Sequence, residues 1–403
     1  MAAGTTLLIL GKDSNLKKIA IIGASYLQNP LILKAKELGF ETHVFAWQCG
    51  DVGEETADFF YPISITEKEQ ILAKCKEIGI EGVCTIASDL ANVVVGYVAS
   101  GMGLVANSPE AVACSTDKHA MRKVFAANGD PSPKSMVVGG SFDLASSGLR
   151  FPIIVKPADR SGSRGIARLE TPEGFEQAAA RAASESFSGT VLVEEFFEGL
   201  EYSVEYISWK GKHHFLSVTE KFTSGAPMFI EKGHLEPARM DFELEARVRS
   251  VVEHALDGLG VEYGASHSEI KINKQGEIAI IEIGSRMGGD RIGSDLVRLS
   301  TGYDFVAAVV KVAMGEEPEL PCTDARKFAA IRYVFGEDDV ASLGRLQEEQ
   351  PELLVDKSEI DIADNQITDS SSRYGYFMMS ADRLADLEKY LPSHSDEGLS
   401  WAM

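Results

Sequence analysis

Two glutamates, Glu269 and Glu282, stand on either side of a turn in ASHSEIKINKQGEIAIIEIGSRMGGDRIG, residues 265–293. The runs His267–Asn273 and Glu277–Ile283 flank Gln275-Gly276, with glycine where a hairpin turn needs a positive φ. A two-residue loop at Gln275-Gly276 pairs Lys274 with Glu277, Ile270 with Ile281 and Glu269 with Glu282. Carboxylates directly opposite on neighbouring strands repel, so the spacing predicts a compensating cation. A hard divalent ion such as Mg2+ or Mn2+ meets that need, because magnesium takes carboxylate oxygens and shares the rest of its shell with water and phosphate. A longer turn would send one glutamate to solvent, and the hairpin by itself leaves both readings open. Past the second strand come Arg286, Gly288 and Gly289. Arginine binds phosphate or carboxylate in a fork, and the glycines let a substrate approach the backbone.

H-x-E-x-K at His267–Lys271, then E-I-x-x-R-x-G-G-D at Glu282–Asp290, resembles the metal-binding end of the ATP-grasp superfamily. The form is that of carboxylate–amine ligases of the L-amino-acid ligase type. The resemblance implies ATP and Mg2+ as cofactors and Glu269 and Glu282 as metal ligands. It implies that Arg286 stabilises charge on a transferred phosphoryl group. Gly284 stands where many members carry an asparagine, which removes a customary metal ligand.

Upstream, Ser115-Thr116-Asp117-Lys118 opens a helix expected to reach Ala127, with Asp117 or Thr116 as cap. Lys118 lies in a first turn, where acids are ordinarily favoured, which hints at a nearby anion. Phe151–Val155 reads as a strand ending in Lys156-Pro157, before a loop with Ser161, Gly162, Ser163 and Gly165. Such small residues let backbone N–H groups converge on phosphate oxygens, although a plain flexible loop has the same composition. D-K-x-x-M-R and V-K-P with S-G-S-R-G resemble the ATP-grasp nucleotide motifs. Lys118, Lys156, Ser161, Ser163 and Gly165 are therefore the expected phosphate contacts. Val191–Val193 reads as a strand entering Glu194-Glu195-Phe196-Phe197. In relatives this hinge meets adenine, so Glu194, Glu195 and Phe197 are expected nucleotide contacts, the last two through the main chain. E-x-x-x-G-x-E makes Glu201 the expected ribose-hydroxyl acceptor. On composition alone, Glu194 and Glu195 also fit a solvated strand end.

Tyr202–Ile207 and His214–Lys221 read as a hairpin, and Phe222–Met240 as a long loop rich in turn residues. Loops of that length are uncommon unless functional. F-I-E-K-G-H-L-E-P-A resembles the segment lining the acceptor pocket of amino-acid ligases, which implies substrate contact by Glu231. His234 becomes a catalytic candidate. A neutral imidazole there would orient the acyl phosphate or take a proton from the attacking amine; the plain alternative is a loop histidine. His267 shares a strand face with Glu269 and either supports it or simply packs.

These residues need a scaffold. Lys18–Ile22, Thr42–Ala46 and Val83–Ala87 read as strands. Helices alternate with them: one N-capped by Asn29 before Pro30, one opened by a Thr66/Glu69 capping box and closed by Gly79, one from Asp89 to about Ala99. That order implies a parallel sheet with right-handed crossovers. Gly23-Ala24-Ser25-Tyr26 is not G-x-G-x-x-G, so the unit is expected to lend a wall to the site. Phe242–Leu259 has amphipathic helical spacing, and Asp295–Ser300 and Asp304–Met314 read as further helices. Beyond Lys327, Phe328–Val334, Val340–Glu348, Ile360–Ile362, Tyr374–Ser380 and Ala381–Tyr390 read as strands and short helices. The expected fold class is α/β and α+β. It comprises an N-terminal Rossmann-like pre-ATP-grasp domain (1–114), a two-part ATP-grasp core and a small C-terminal α+β lobe (321–403). The core divides into a small subdomain with the lysines and phosphate loop (115–197) and a large one with the metal site (198–320).

A chain of 403 residues, 44% of them apolar, suits several globular domains. It holds no run near the ~18 apolar residues of a membrane span. The N-terminal apolar run lacks a preceding basic stretch, which argues against a signal peptide, and the tail Ser393–Met403 is expected to be mobile. The net charge of −22 argues against a general nucleic-acid or anionic-membrane surface. Cys49, Cys75, Cys84, Cys114 and Cys322 form no CxxC and read as buried free thiols of a reducing, cytoplasmic compartment. The function implied is ATP-dependent, ADP-forming ligation of a carboxylate to an amine through an acyl phosphate, with amino acids or small carboxylates as partners; a homodimer is compatible with it. Alternatives are a ligase of purine-biosynthesis or carbamoyl-phosphate-synthase type, and a catalytically silent nucleotide-binding sensor, which Gly284 favours.

Overall fold

The structure, a computed structural model, describes residues 16–139, 142–160, 164–226, 229–320, 327–362 and 367–394. Ser161, Gly162, Ser163, Pro227, Cys322 and the tail from residue 395 lie outside the described residues. Cys75 and Cys84 are buried as expected, whereas Cys114 is half-buried and Cys49 is exposed. Within the described residues the strands form three sheets.

The N-terminal sheet is parallel. It comprises β1 (Lys18–Ile22), β2 (Glu41–Phe45), β3 (Phe59–Tyr61) and β4 (Gly82–Cys84) in the order β3-β2-β1-β4. The first strand, KIAII, is apolar almost throughout because helices cover both faces. Asn29 is inside its helix, behind an uncapped Gln28. Its amide oxygen instead accepts from the Thr56 hydroxyl. The capping box at Thr66 does not form: the helix starts at Lys68, and the Thr66 hydroxyl pairs with Ser64. The expected third strand is cut to Gly82–Cys84, since the chain turns at Ala87, whose φ is 60°.

A second sheet is antiparallel, with β5 (Ser135–Val138), β6 (Ile153–Pro157), β7 (Ala167–Leu169) and β8 (Val191–Glu195) in the order β5-β8-β6-β7. Phe175, Ala178 and Ala182 of one helix pack on Ile153, Val155 and Val193 of this sheet.

The third sheet is antiparallel throughout. Its strands are β9 (Leu200–Trp209), β10 (Lys212–Thr223), β11 (Glu231–Glu236), β12 (Gly264–Ile272), β13 (Ile278–Gly284), β14 (Phe328–Tyr333), β15 (Leu354–Lys357) and β16 (Tyr376–Ala381). The order is β13-β12-β9-β10-β11-β14-β16-β15. Alternation divides its two faces. Val204, Tyr206, Ile270 and Ile280 pack on Val248, Val252, Ala255 and Leu256 of the helix Phe242–Leu259. Each such large side chain contributes roughly 1.5–3 kcal/mol by its burial. The other face carries Glu201, Glu205, Lys221, His267 and Glu269.

Two expectations are corrected here. Phe222–Met240 is not one loop, because Glu231–Glu236 pairs with β10 on one side and β14 on the other. Ile360–Ile362 is not a strand; the edge is Leu354–Lys357. The C-terminal segment therefore continues the large sheet and shares a core with it, through Phe222, Leu235, Ala330, Phe377 and Met379. At the other end, the helix Phe305–Ala313 packs on Ile21, Leu31 and Val44 of the N-terminal unit. Among the described residues, no helix is long and apolar enough to cross a membrane.

Gly233 joins the C-terminal strands to the rest of the sheet. A Cβ there would lie 2.5 Å from the Ile331 carbonyl oxygen and 2.8 Å from Pro392 Cγ. Gly233→Ala is expected to destabilise the fold by roughly 1–3 kcal/mol through overpacking. Urea unfolding checks this, and an unchanged midpoint would contradict the β11–β14 pairing.

Candidate active site

The hairpin that carries the glutamates has a three-residue loop. Gly276 donates to the Asn273 carbonyl (2.9 Å), and the Asn273 side chain accepts from the Gln275 and Glu277 amides. Gly276 has a φ of 73°. This loop pairs Ile272 with Ile278, Lys271 with Ala279 and Ile270 with Ile280, one residue away from the expected register. A β-bulge then intervenes, and beyond it Glu269 stands opposite Glu282 as expected. Ile270 therefore faces Ile280 and not Ile281.

Both glutamates open onto a cavity of about 370 Å³. Lysines offset their repulsion: Lys221 Nζ lies 2.7 Å from Glu269, and Lys118 Nζ 2.8 Å from Glu282. Burial opposes ionisation of Glu269, but Lys221 and His267 outweigh it and hold the carboxyl well below its usual range. Lys118 is the first residue of its helix, which Asp117 caps through the Ala120 amide. The lysine is buried, and its Nζ also donates to the Arg160 carbonyl (2.8 Å). Lys221 gave no motif signal in the sequence; its place follows only from the β9–β10 pairing.

Lys156 is the next-to-last residue of β6 and meets Glu194 at 2.6 Å. Arg122 meets the other Glu194 oxygen at 2.9 Å. Glu194 is thus a buried bridge between two cations and not a solvated strand end. Burial disfavours its charge, yet the fields of Arg122 and Lys156 prevail and hold its pKa at about 2. Glu195 turns outward to Arg150, and its N–H donates to the Lys134 carbonyl. An adenine contact at Glu195 is left with its carbonyl. Phe197 and Glu201 line the same cavity, and Glu201 pairs with Lys271 at 3.1 Å. Gly165, with φ 69°, packs beside Pro157 and Glu185.

Arg286 also faces the cavity, but Asp89 of the N-terminal unit holds it in a fork at 2.8 and 2.9 Å. A Cβ at Gly284 would come within 3.1 Å of both members of that pair. The Arg286–Asp89 pair thus fills the space an asparagine side chain would need. His234 is fully buried on β11. Burial pushes its pKa down, and neither ring nitrogen has a hydrogen-bond partner among the described residues. Its Nε2 is 3.5 Å from Asp290, which Arg373 clamps at 2.7 and 3.0 Å. Glu231 accepts from the Ser370 hydroxyl at 2.7 Å. Gly289 lines the cavity, whereas Gly288 makes room for His267, whose Nδ1 would be 2.6 Å from an added Cβ. His267 itself is bound to the buried Glu205. Asp89 and Arg373 escaped the sequence reading because they lie far along the chain from every motif.

The donor set suits magnesium. It consists of two hard carboxylates, and among the described residues no third His, Cys, Asp or Glu completes a cluster around them. Mg2+ accepts that, since it keeps several waters and phosphate oxygens.

Acid stability tests the Glu194 bridge. A carboxyl with a depressed folded pKa contributes stability above its ordinary value of 4.5, and that contribution fades as pH falls toward about 2. Its size is on the order of 3 kcal/mol. Glu194→Gln is therefore expected to be less stable than wild type at pH 6, with the gap narrowing toward pH 2 in urea unfolding. A gap independent of pH would contradict the bridge.

Comparison with known proteins places this geometry. Residues 149–295 match the model of the ATP-grasp domain. The chain is 28% identical over 270 residues to the uncharacterized protein y4rH of Sinorhizobium fredii, covering 65% of this chain and 55% of that protein. It is 24% identical over 308 residues to the alanine–anticapsin ligase of Bacillus subtilis, covering 67% and 64%. It thus spans less than two thirds of the length of these relatives. The crystal structure of an L-amino acid ligase from Bacillus licheniformis shares the fold, with a TM-score of 0.78 at 21% identity over 93% of this chain and 95% of that one. The domain match runs from the strand of Lys156 through both facing glutamates, so residues 149–295 are similar to an ATP-grasp domain, and the fold of the ligase is shared over most of the chain's length.

Proposed function

We propose that this protein is an ADP-forming carboxylate–amine ligase that works through an acyl phosphate, with amino acids or small carboxylates as substrates. The observation that carries the reading is the pair Glu269 and Glu282, opposite each other in one ladder and sharing a cavity with Lys118, Lys156, Lys221 and Arg286. Phosphoryl transfer needs positioning and charge neutralisation more than covalent help, and this cavity offers both. In this reading residues 1–114 wall the site, 115–197 and 198–320 grip the nucleotide between them, and 321–403 close the substrate end. ATP and Mg2+ are the ligands, and a reducing cytoplasm is the setting.

Glu269 and Glu282 would hold magnesium, which when bound neutralises phosphate oxygens. Lys118 and Lys156 bind the phosphates. Glu195 and Phe197 take adenine along the hinge, and Glu201 takes the ribose hydroxyls. The substrate carboxylate attacks the γ-phosphorus, the bond to the ADP oxygen breaks, and an acyl phosphate forms. Arg286, aimed by Asp89, stabilises the developing charge. An amine then attacks the acyl carbon, inorganic phosphate leaves, and an amide remains. His234 suits the proton that the amine gives up: its imidazole is neutral through burial, and Asp290 stands ready to stabilise the imidazolium.

The alanine–anticapsin ligase relative supports amino-acid substrates over the purine-biosynthesis or carbamoyl-phosphate type. A silent nucleotide sensor has less support, because it has no use for a buried His234 set beside Asp290 at the cavity.

ADP release, measured with single amino acids and with pairs, tests the reading. Release that requires two substrates is expected. Tight ATP binding without ADP release across the panel would favour the sensor. Arg286→Ala is expected to lose on the order of 3 kcal/mol of transition-state stabilisation, or at least ~100-fold in turnover, with ATP binding retained.

A further inference from the structure

Glu282 faces the cavity only because of the bulge. The register set by the loop, with Ile272 opposite Ile278 and Ile270 opposite Ile280, would if continued put Ile281 opposite Glu269. A one-residue slip sends each side chain to the other face, so Glu282 would then point toward the helix Phe242–Leu259. The extra residue in β13 reverses this, and Ile281 and Glu282 both line the cavity.

A bulge disrupts the ladder locally and bends its strand, so something must hold it. β13 is the edge of the large sheet, and its outward backbone groups are taken up by the helix Lys118–Asn128 and the turn after it. The Ile280 amide donates to the Pro131 carbonyl at 2.7 Å. Arg122, a residue only 5% exposed, donates through Nη2 to the Ile281 carbonyl at 2.8 Å. Arg122 lies one helical turn beyond Lys118, which meets the Glu282 carboxylate itself.

We propose that Arg122 is a positioning residue: by holding the Ile281 carbonyl, it fixes the bulge that turns Glu282 into the metal site. The inference rests on the reading of Glu269 and Glu282 as metal ligands. Arg122 has a second partner in Glu194, so the test must separate the two. It must also read metal binding and not turnover.

The experiment is an electron paramagnetic resonance titration of Mn2+ with a non-hydrolysable ATP analogue present. Wild type is expected to bind the ion. If it does not, the metal reading itself fails, independently of Arg122. Arg122→Met keeps the aliphatic stem and removes the donor, and it is expected to weaken Mn2+ binding roughly 10-fold or more, as loss of a group that orients a ligand typically does. A loss transmitted through Glu194 to Lys156 would not depend on the register of β13, so the second variant acts on the register alone. Deletion of Ile281 removes the extra residue, so that Glu282 follows Ile280 in an unbroken ladder and still faces Glu269. That deletion is expected to restore Mn2+ binding in the Arg122→Met background. Wild-type affinity in Arg122→Met, or failure of the deletion to restore binding, would each overturn the proposal. If Arg122→Met does not fold, the deletion in the wild-type background decides: retained Mn2+ binding supports the register argument, and its loss overturns it.

Discussion

Two carboxylates forced to face each other across a ladder are the constraint around which the cavity is arranged. At an effective dielectric near 20, two like charges ~4–5 Å apart repel by about 4 kcal/mol. Lys221 and Lys118 offset this from opposite sides. One comes from the neighbouring part of the same sheet, the other from a helix that runs alongside it. Each carboxylate thus has its own cation, and the pair remains open to the cavity between them.

The large sheet manages two chemistries through the period of two alone. One face is a conventional apolar surface packed on a long helix. The other buries charges in series. Glu205 holds His267, and burial, although opposing the imidazolium, is outweighed by Glu205 so that the pKa rises to about 9. Glu236 accepts from the Ser300 and Thr219 hydroxyls at 2.6 and 2.8 Å, and burial lifts its pKa to about 7. Buried ionic groups contribute little net stability. What this face supplies is a fixed arrangement of side chains beneath the cavity.

The site is also a junction of distant parts of the chain. Asp89 reaches Arg286 from the N-terminal unit, and Arg373 reaches Asp290 from the C-terminal segment. Asp290 and Arg291 both adopt left-handed φ, 50° and 61°, which non-glycine residues rarely do. Such conformations persist where surroundings over-determine them. Here the Arg373 fork and a hydrogen bond from the Tyr333 hydroxyl to the Asp290 carbonyl, 2.9 Å, do so.

The sequence alone determined the parts that depend on short-range rules. Period-two alternation and a glycine turn located the hairpin, helical spacing gave Phe242–Leu259 to the residue, and the motifs around Lys118, Lys156, Glu201, His234 and Arg286 named side chains that line one cavity. It could not supply what depends on neighbours distant in the chain. The opposition of Glu269 and Glu282 was reached through a two-residue loop, whereas the protein uses a three-residue loop and a bulge whose offsets cancel. The bulge is stabilised by Arg122 and Pro131, which no local pattern connects to β13. Asp89, Lys221 and Arg373 entered the site for the same reason. Their side chains acquire a role only once the sheets are assembled, because Coulomb and hydrogen-bond partners are set by distance in space, and the sequence records distance along the chain.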